Sequence, residues 1–463
     1  MLNSLLVERP RPDAVRRWPR APWLAVGTVC LGAFMGQLDA SIVTLTFAPL
    51  RQEFGASLAG VEWVSLGYLV ALVALVVPAG RLSDAVGRKA VYLLGFAAFT
   101  VASVGCGLAP TLGVLVGARV VQAVGAAMMQ ANSVALITTS VPARRLRTGL
   151  GVQAAAQAIG LALGPTLGGV LVHALGWRWV FMINLPVGVL ALIAGRYLLP
   201  RTREHHPVRR FDTAGLVLLA VATTAGLLAI SAGSGLDVPW YGVVGLGAVA
   251  VAGVLGLAWW EARAGEPLVP VRALRDRVVG GGLIAAGLGY LVLFGPLVAG
   301  PVVLAERGVP AGLIGLYLTA LPAGFAVGAL VGGRLLPRRW GNRARGAAGM
   351  GLAAAGQVGV ALLDGGPATL CVGLAVTGLG LGLFMPANNA AVMAGVPRRL
   401  AGTAGGLVNM TRALGTALGV AVVTLALHMA NFGFSSILMG ISAALAGIVT
   451  LVSTRRTGDH TRC

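Results

Sequence analysis

Apolar residues fill most of this chain in long unbroken runs, without the alternation of a half-buried strand or the single stripe of a soluble amphipathic helix. Each run is close to twenty residues, carries few charges and ends in a short polar turn. A helix of about 20 residues crosses the hydrocarbon layer of a bilayer. Lipid offers backbone groups no hydrogen bonds, so such runs must be helical. The pattern predicts fourteen membrane helices, at 22–46, 61–80, 90–109, 111–140, 149–173, 179–199, 213–233, 239–260, 278–304, 311–333, 346–363, 368–394, 402–428 and 433–453.

Composition agrees. Charged residues make up 11%, against about 25% in soluble proteins. The 69 glycines suit close helix approach in a bundle. A net charge of +20 raises the question of nucleic acid, which such a protein would meet with one basic soluble face. Here the arginines sit in short turns instead. Clusters at Arg81/Arg88/Lys89, Arg144/Arg145/Arg147, Arg201/Arg203/Arg209/Arg210, Arg263/Arg272/Arg275/Arg277, Arg334/Arg338/Arg339/Arg343/Arg345 and Arg398/Arg399 fall in every second turn. The intervening turns hold only Arg51, Arg178 and Arg307. The positive-inside rule accounts for this and places both basic termini on the cytoplasmic side of a multi-pass protein. An even number of spans is required, and nucleic acid is not expected as a partner.

Cys30, Cys106 and Cys371 lie inside apolar runs and Cys463 is the last residue, so neither a disulfide framework nor a metal site is expected. His173, His205, His206, His428 and His460 have no metal-ligand spacing. No glycine-rich loop ends in Lys-Ser or Lys-Thr, so no ATP site is expected. The first apolar run lacks a small-residue cleavage site and reads as a retained span. Neither an enzyme activity nor a cofactor is expected.

The two ends of the chain resemble each other at a separation of about 255 residues. Gly151, Gly160 and Gly164 correspond to Gly406, Gly415 and Gly419; Gly125 corresponds to Gly380, and Val141-Pro142 to Val396-Pro397. Gly80-Arg81-Leu82 reappears, two residues out of register, as Gly333-Arg334-Leu335. Duplicated halves with a site between them are a transporter architecture. The expected organisation is a cytoplasmic tail at 1–21, a six-helix bundle at 22–199, a cytoplasmic linker at 200–212, two inserted helices at 213–260, a second linker at 261–277, a second six-helix bundle at 278–453 and a cytoplasmic tail at 454–463.

Several motifs then occur in order. The turn from Gly80 to Lys89 contains Asp84, Gly87 and Arg88; Leu38-Asp39-Ala40-Ser41-Ile42-Val43 lies in the first span, with Trp63 and Tyr68 after it. Arg119-Val120-Val121-Gln122-Ala123-Val124-Gly125 lies in the fourth span. Gly160-Leu161-Ala162-Leu163-Gly164-Pro165-Thr166-Leu167-Gly168-Gly169 lies in the fifth, Gly176-Trp177-Arg178-Trp179 and Asn184-Leu185-Pro186 follow, and Asn409-Met410-Thr411-Arg412 lies in the thirteenth. Together these resemble the major facilitator superfamily, in its fourteen-span drug:proton antiporter branch, over nearly the whole chain. Thr44 stands where the branch has an asparagine, and Pro337 about where a second-half equivalent of Asp84 would fall.

The resemblance implies an all-α membrane fold of two six-helix bundles with two extra central helices. It implies a monomer driven by protons, exporting a small hydrophobic drug or antibiotic through the bacterial cytoplasmic membrane. It also implies proton coupling at Asp39 and Arg119, and conformational gating by Gly80, Asp84, Gly87 and Arg88 and by Gly160, Gly164, Pro165, Gly168 and Gly169. Export of one dedicated metabolite and a non-transporting sensor remain as alternatives.

Helix rise puts Asp39 roughly 26 Å along its span and Arg119 about 12 Å deep, both in the outer half of the membrane. Charges at that depth face a partner or a cavity, or, for Asp39, the interface. Arg412, roughly 15 Å deep, either binds a polar substrate group or acts as a structural post. The amides Gln37, Gln122, Gln130, Asn132, Asn388 and Asn389 divide between cavity lining and interhelical bonding; Gln122, Asn132, Asn388, Asn409 and Arg412 are the substrate-cavity candidates. Small residues four apart allow close packing at Gly160, Gly164 and Gly168, and Pro165 removes a backbone donor. Asp84 is expected to accept hydrogen bonds at another helix's N-terminus, held by Arg88.

Overall fold

The protein is represented by a computed structural model, which describes residues 8, 10–142, 145–202, 212–233, 238–265, 275–335, 337, 340–362, 366–395 and 401–453. Arg144, Arg203, Arg209, Arg210, Arg272, Arg338, Arg339, Arg398, Arg399, Val396, Pro397 and Cys463 lie outside the described residues.

Fourteen long helical segments follow one another, and no strand occurs among the described residues. They are α1 (Ala21–Ile42, prolonged by a 3-10 turn at Val43–Thr46 and a helix at Phe47–Phe54), α2 (Leu58–Val86), α3 (Arg88–Gly107), α4 (Leu112–Ser140), α5 (Leu146–Leu175), α6 (Asn184–Leu198, preceded by Arg178–Met182), α7 (Thr213–Gly233) and α8 (Trp240–Glu261). Then come α9 (Arg277–Glu306), α10 (Ala311–Leu318 with Ala320–Leu335), α11 (Asn342–Leu362), α12 (Pro367–Ala394), α13 (Ala401–Met429) and α14 (Phe432–Ser453).

Local chemistry sets the ends. Gly55 stops the first span at φ 59°, a left-handed conformation favoured by glycine. Ser57, Thr111 and Asp276 cap α2, α4 and α9 through side-chain oxygens that accept backbone N–H groups. Gly87, at φ 122°, makes the tight junction between α2 and α3.

Thirteen of the segments are long and apolar enough to cross a membrane. The exception, α11, was expected as a span. Its many Gly and Ala residues, with two arginines in the first turn, dilute its hydropathy, but it is a continuous 21-residue helix packed against α12 and α14. Elsewhere apolar side chains point outward, Val101, Leu330 and Val452 among them, each more than 70% exposed. That is the surface a lipid-facing bundle presents.

Helices α1 to α6 pack among themselves, as do α9 to α14; α7 and α8 pair, and α7 also lies against α2 and α13. The sequence repeat recurs in the contacts. Gly95 and Gly125 bring α3 and α4 together through backbone, as Gly349 and Gly380 do for α11 and α12. Gly160 and Gly164 seat α5 on α1, as Gly415 and Gly419 seat α13 on α9. Between the halves, α5 meets α10 and α2 meets α13.

At the arginine-rich end a strap from the amino-terminal tail holds α3 to α6. Glu8 accepts from the Ala90 N–H at 3.0 Å and from the Thr202 N–H and hydroxyl at 2.6 and 2.9 Å. Arg11 donates to the Leu198 carbonyl at 2.7 Å, and Lys89 donates to the carbonyls of Arg196 and Leu199, both at 2.9 Å. A cation on the last carbonyls of α6 also suits that helix's dipole.

Candidate functional site

A charged cluster lies wholly inside the first six helices. Asp39 on α1 is 0% exposed and pairs with Arg119 on α4, 1% exposed, at 2.7 Å. The second oxygen of Asp39 accepts from Gln122 Nε2 and from Asn184 Nδ2, each at 3.1 Å. Arg119 also donates to the Val64 carbonyl at 2.9 Å and to Gln122 Oε1, and its guanidinium stacks 4.2 Å from the centre of the Tyr68 ring. Gln122 Nε2 continues to Ser103 Oγ at 2.7 Å. Five helices therefore contribute to one polar cluster around Asp39: α1, α2, α3, α4 and α6.

Burying two charges is costly unless geometry and surrounding hydrogen bonds compensate. Here both carboxylate oxygens are filled, and the guanidinium uses its fork on three acceptors and an aromatic face. A proton added to Asp39 would weaken its pairing with Arg119, so protonation and helix packing are linked at this point. The alternative of a solvated interfacial Asp39 is set aside by its complete burial.

The remaining candidates divide. Gln122, expected at a cavity wall, belongs to the ion-pair cluster. Asn132 is buried and bonds its own helix at the Met128 carbonyl, 2.8 Å away. Asn388 donates to the Gly282 carbonyl at 2.8 Å and joins α12 to α9. Asn409 is half-buried on α13. Arg412 donates to Gln130 Oε1 on α4, crossing between the halves, and beside it lies a cavity of about 20 Å³ also lined by Gln37, Tyr68, Phe294 and Thr416. That volume holds little more than one water. Of the six membrane amides, Gln37 and Gln130 line this space.

Among the described residues, Asp84 bonds Arg88 rather than the N–H groups of another helix's N-terminus. It accepts from Arg88 Nε and Nη2 at 3.1 and 3.0 Å across Gly87, with both side chains part exposed. Gly80 faces Ala131 of α4 with room to spare. The fifth-span motif has two faces. A β-carbon at Gly160 would strike the Phe34 carbonyl, one at Gly164 the Ser41 side chain, and one at Gly168 would lie 2.8 Å from Ile42 Cγ1. These three pack on α1, beside Asp39. On the other face, Pro165 and Gly169 meet Gly315 of α10, and Thr166 shares a hydrogen bond with Thr319. The motif thus spans both a packing seam within the first half and a contact between halves.

Sequence reading missed Asn184, Ser103 and Glu62 as polar sites. Asn184 stood in a recognised motif, but nothing in the spacing aimed it at Asp39. Glu62 is a carboxylate just inside an apolar run, and it is fully buried on α2.

The sequence model of the Major Facilitator Superfamily matches residues 29–420. The chain belongs to this superfamily. It is 33% identical over 408 residues to the tetracenomycin C resistance and export protein of Streptomyces glaucescens, covering 87% of this chain and 75% of that one. It is 32% identical to the multidrug resistance protein Stp of Mycobacterium tuberculosis, with 85% and 73% covered. It is 29% identical to the methylenomycin A resistance protein of Streptomyces coelicolor, with 91% and 90% covered. Such relatives fit the drug:proton antiporter branch that the motifs indicate. A crystal structure of the peptide transporter POT superposes with a TM-score of 0.71 over 98% of this chain and 97% of that one, at 14% identity, a likeness of fold alone. This member of the major facilitator superfamily is a multi-pass membrane transporter rather than an enzyme.

Proposed function

We propose that the protein is a proton-coupled antiporter that exports a small, mostly hydrophobic antibiotic or drug from a bacterial cell by alternating access. It acts as a monomer in the cytoplasmic membrane, with both termini cytoplasmic and two six-helix bundles flanking the inserted pair. The observation that carries this reading is the enclosed Asp39–Arg119 pair in a chain whose relatives are named for resistance and export. A proton arriving at Asp39 weakens its bond to Arg119, which retains the Val64 carbonyl and the Tyr68 ring. The α1–α4 contact loosens, α1 carries the glycine face of α5 with it, and the other face of α5 moves against α10. One proton moving down about 100 mV supplies about 2.3 kcal/mol, enough for roughly a fifty-fold gradient of a neutral solute.

Arg412 beside the small cavity, with no carboxylate bonded to it among the described residues, favours neutral or anionic substrates over dications. Export of one dedicated metabolite is the second reading, and this feature favours it. The test is Asp39→Asn in everted vesicles. Proton-driven uptake of substrate is expected to fall by roughly a hundredfold, with folded protein still recovered. Undiminished transport would remove Asp39 from the mechanism. A resistance panel in a pump-deficient host, with and without an uncoupler, separates multidrug from dedicated export.

A further inference from the structure

Glu62 lies five residues into α2 from the Ser57 cap, about 7 Å from the arginine-poor end of the bundle, and is 0% exposed. Three helices enclose it: α2 itself from the first half, α13 from the second, and α7 from the inserted pair, each in contact with the other two. Its Oε1 is hydrogen-bonded to the Ser231 hydroxyl of α7. Its Oε2 is buried with no hydrogen bond. Beside the carboxyl group is Thr424 of α13, whose hydroxyl hydrogen is committed to the Val420 carbonyl at 3.0 Å and whose lone pairs remain to accept an O–H.

Among the described residues no cation balances this carboxyl group. On α7 the described residues carry no titratable side chain. On α13, Arg412 lies three turns away and bonds Gln130, and His428 lies one turn beyond Thr424. On α4, Arg119 is committed to Asp39. On α3, Arg88 and Lys89 are held at the opposite end of the bundle, with Tyr92 bonded to Val29 and Cys106 beside Gln122. At the end of the first span, Glu53 pairs with Arg178 and Trp177, and Arg51 faces an open vestibule. An ionised carboxylate enclosed without a counter-charge costs several kcal/mol. The neutral acid fits the site, donating from Oε2 toward Thr424 while Oε1 meets Ser231.

Water comes within one helical turn of the carboxyl group. The vestibule, of about 880 Å³, is lined by Ser57 and Leu58 of the α2 start and by Leu427 and His428 of α13, one turn from Glu62 and Thr424. We propose that Glu62 is a second proton-binding site, separate from Asp39, whose neutral acid fastens α7 to the seam between the two halves and exchanges its proton with water on the arginine-poor face. Protonated, it holds α2, α7 and α13 together. Ionised, it needs water, and the seam parts to supply it. The inserted helix pair thereby makes opening on that face answer to the proton concentration there.

The site rests on enclosure and is independent of export, so it is tested without transport. Infrared difference spectroscopy of the intact protein in lipid nanodiscs at neutral pH should show the carbonyl stretch of a protonated carboxylic acid, sensitive to deuterium exchange. Glu62→Gln, an isostere that retains the Ser231 bond, should lose one such band; Asp39→Asn should retain it. Ser231→Ala, which leaves the carboxyl group in place, should shift the band in frequency. A spectrum that neither Glu62→Gln nor Ser231→Ala alters would overturn the proposal, even if export proves proton-driven. Loss of the band in Glu62→Gln, in a protein whose export ignores an uncoupler, would support the site and overturn the coupling reading instead.

Discussion

Arg119 is held by Asp39, Gln122, the Val64 carbonyl and the Tyr68 ring, and the cost of disturbing it follows from that. Stranding a buried carboxylate without its cation costs about 3–5 kcal/mol, whereas removing both members is far milder, and Asp39→Asn alone leaves Arg119 the Val64 carbonyl, Gln122 Oε1 and the Tyr68 ring. Arg119→Leu should therefore give little folded protein, since Asp39 is left charged beside Gln122 and Asn184. Combining it with Asp39→Asn should restore folded yield and thermal stability in detergent while export stays absent. Equal yields for the single and double variants would show that the pair does not act as a unit. Both members of this pair were legible in the sequence, because a charge inside an apolar run must have a partner. Asn184 and Ser103 were not, because uncharged polar residues occur at many membrane positions and only the packing of α6 and α3 against α1 and α4 selects them. Glu62 escaped for a related reason. It stood at the edge of an expected span, where a charge reads as interfacial, and the helices that cover it come from residues far along the chain.

At the scale of elements, the fifth helix separates two roles that its motif had merged. Gly160 abuts the carbonyl of Phe34, an atom of a helix backbone that cannot rotate aside, so Gly160→Ala should disturb the folding of the first half and lower the yield of stable protein. Gly315 faces the Pro165 carbonyl across the halves. Gly315→Ala should leave each half folded but hold that contact apart, so stability in detergent is retained while export falls. If Gly160→Ala and Gly315→Ala behave alike, the two faces have no separate functions. Gly164→Leu falls in the motif to which gating is ascribed, and its first effect is expected on folding. The added side chain strikes Ser41 within the same half, and misfolding comes before any gating fault. Helix existence was legible throughout. Only α11 fell below the hydropathy of a span, because close packing on α12 needs Gly349 and Gly356, and glycine adds little apolar surface.

For the whole molecule, two duplicated bundles follow from the sequence repeat, and the repeat is visible in matched glycine contacts on both sides. What the repeat does not contain is the asymmetry. The ion pair belongs to the first half and the bridging Arg412 to the second, and the inserted pair leans on the α2–α13 seam. The proposed fourteen crossings would put both termini on one face; labelling of introduced cysteines should then report the amino-terminal tail and the 262–265 turn on the same side, with the 55–57 turn on the other. Opposite labelling of the first two would break the count.

The strap at Glu8 couples the start of α3 to the chain just past α6. Thr202 is fastened through both its amide and its hydroxyl, so the chain is still held to the first half four residues beyond Leu198. Because one carboxylate grips both partners, losing it releases the start of α3 and the stretch after α6 in a single step.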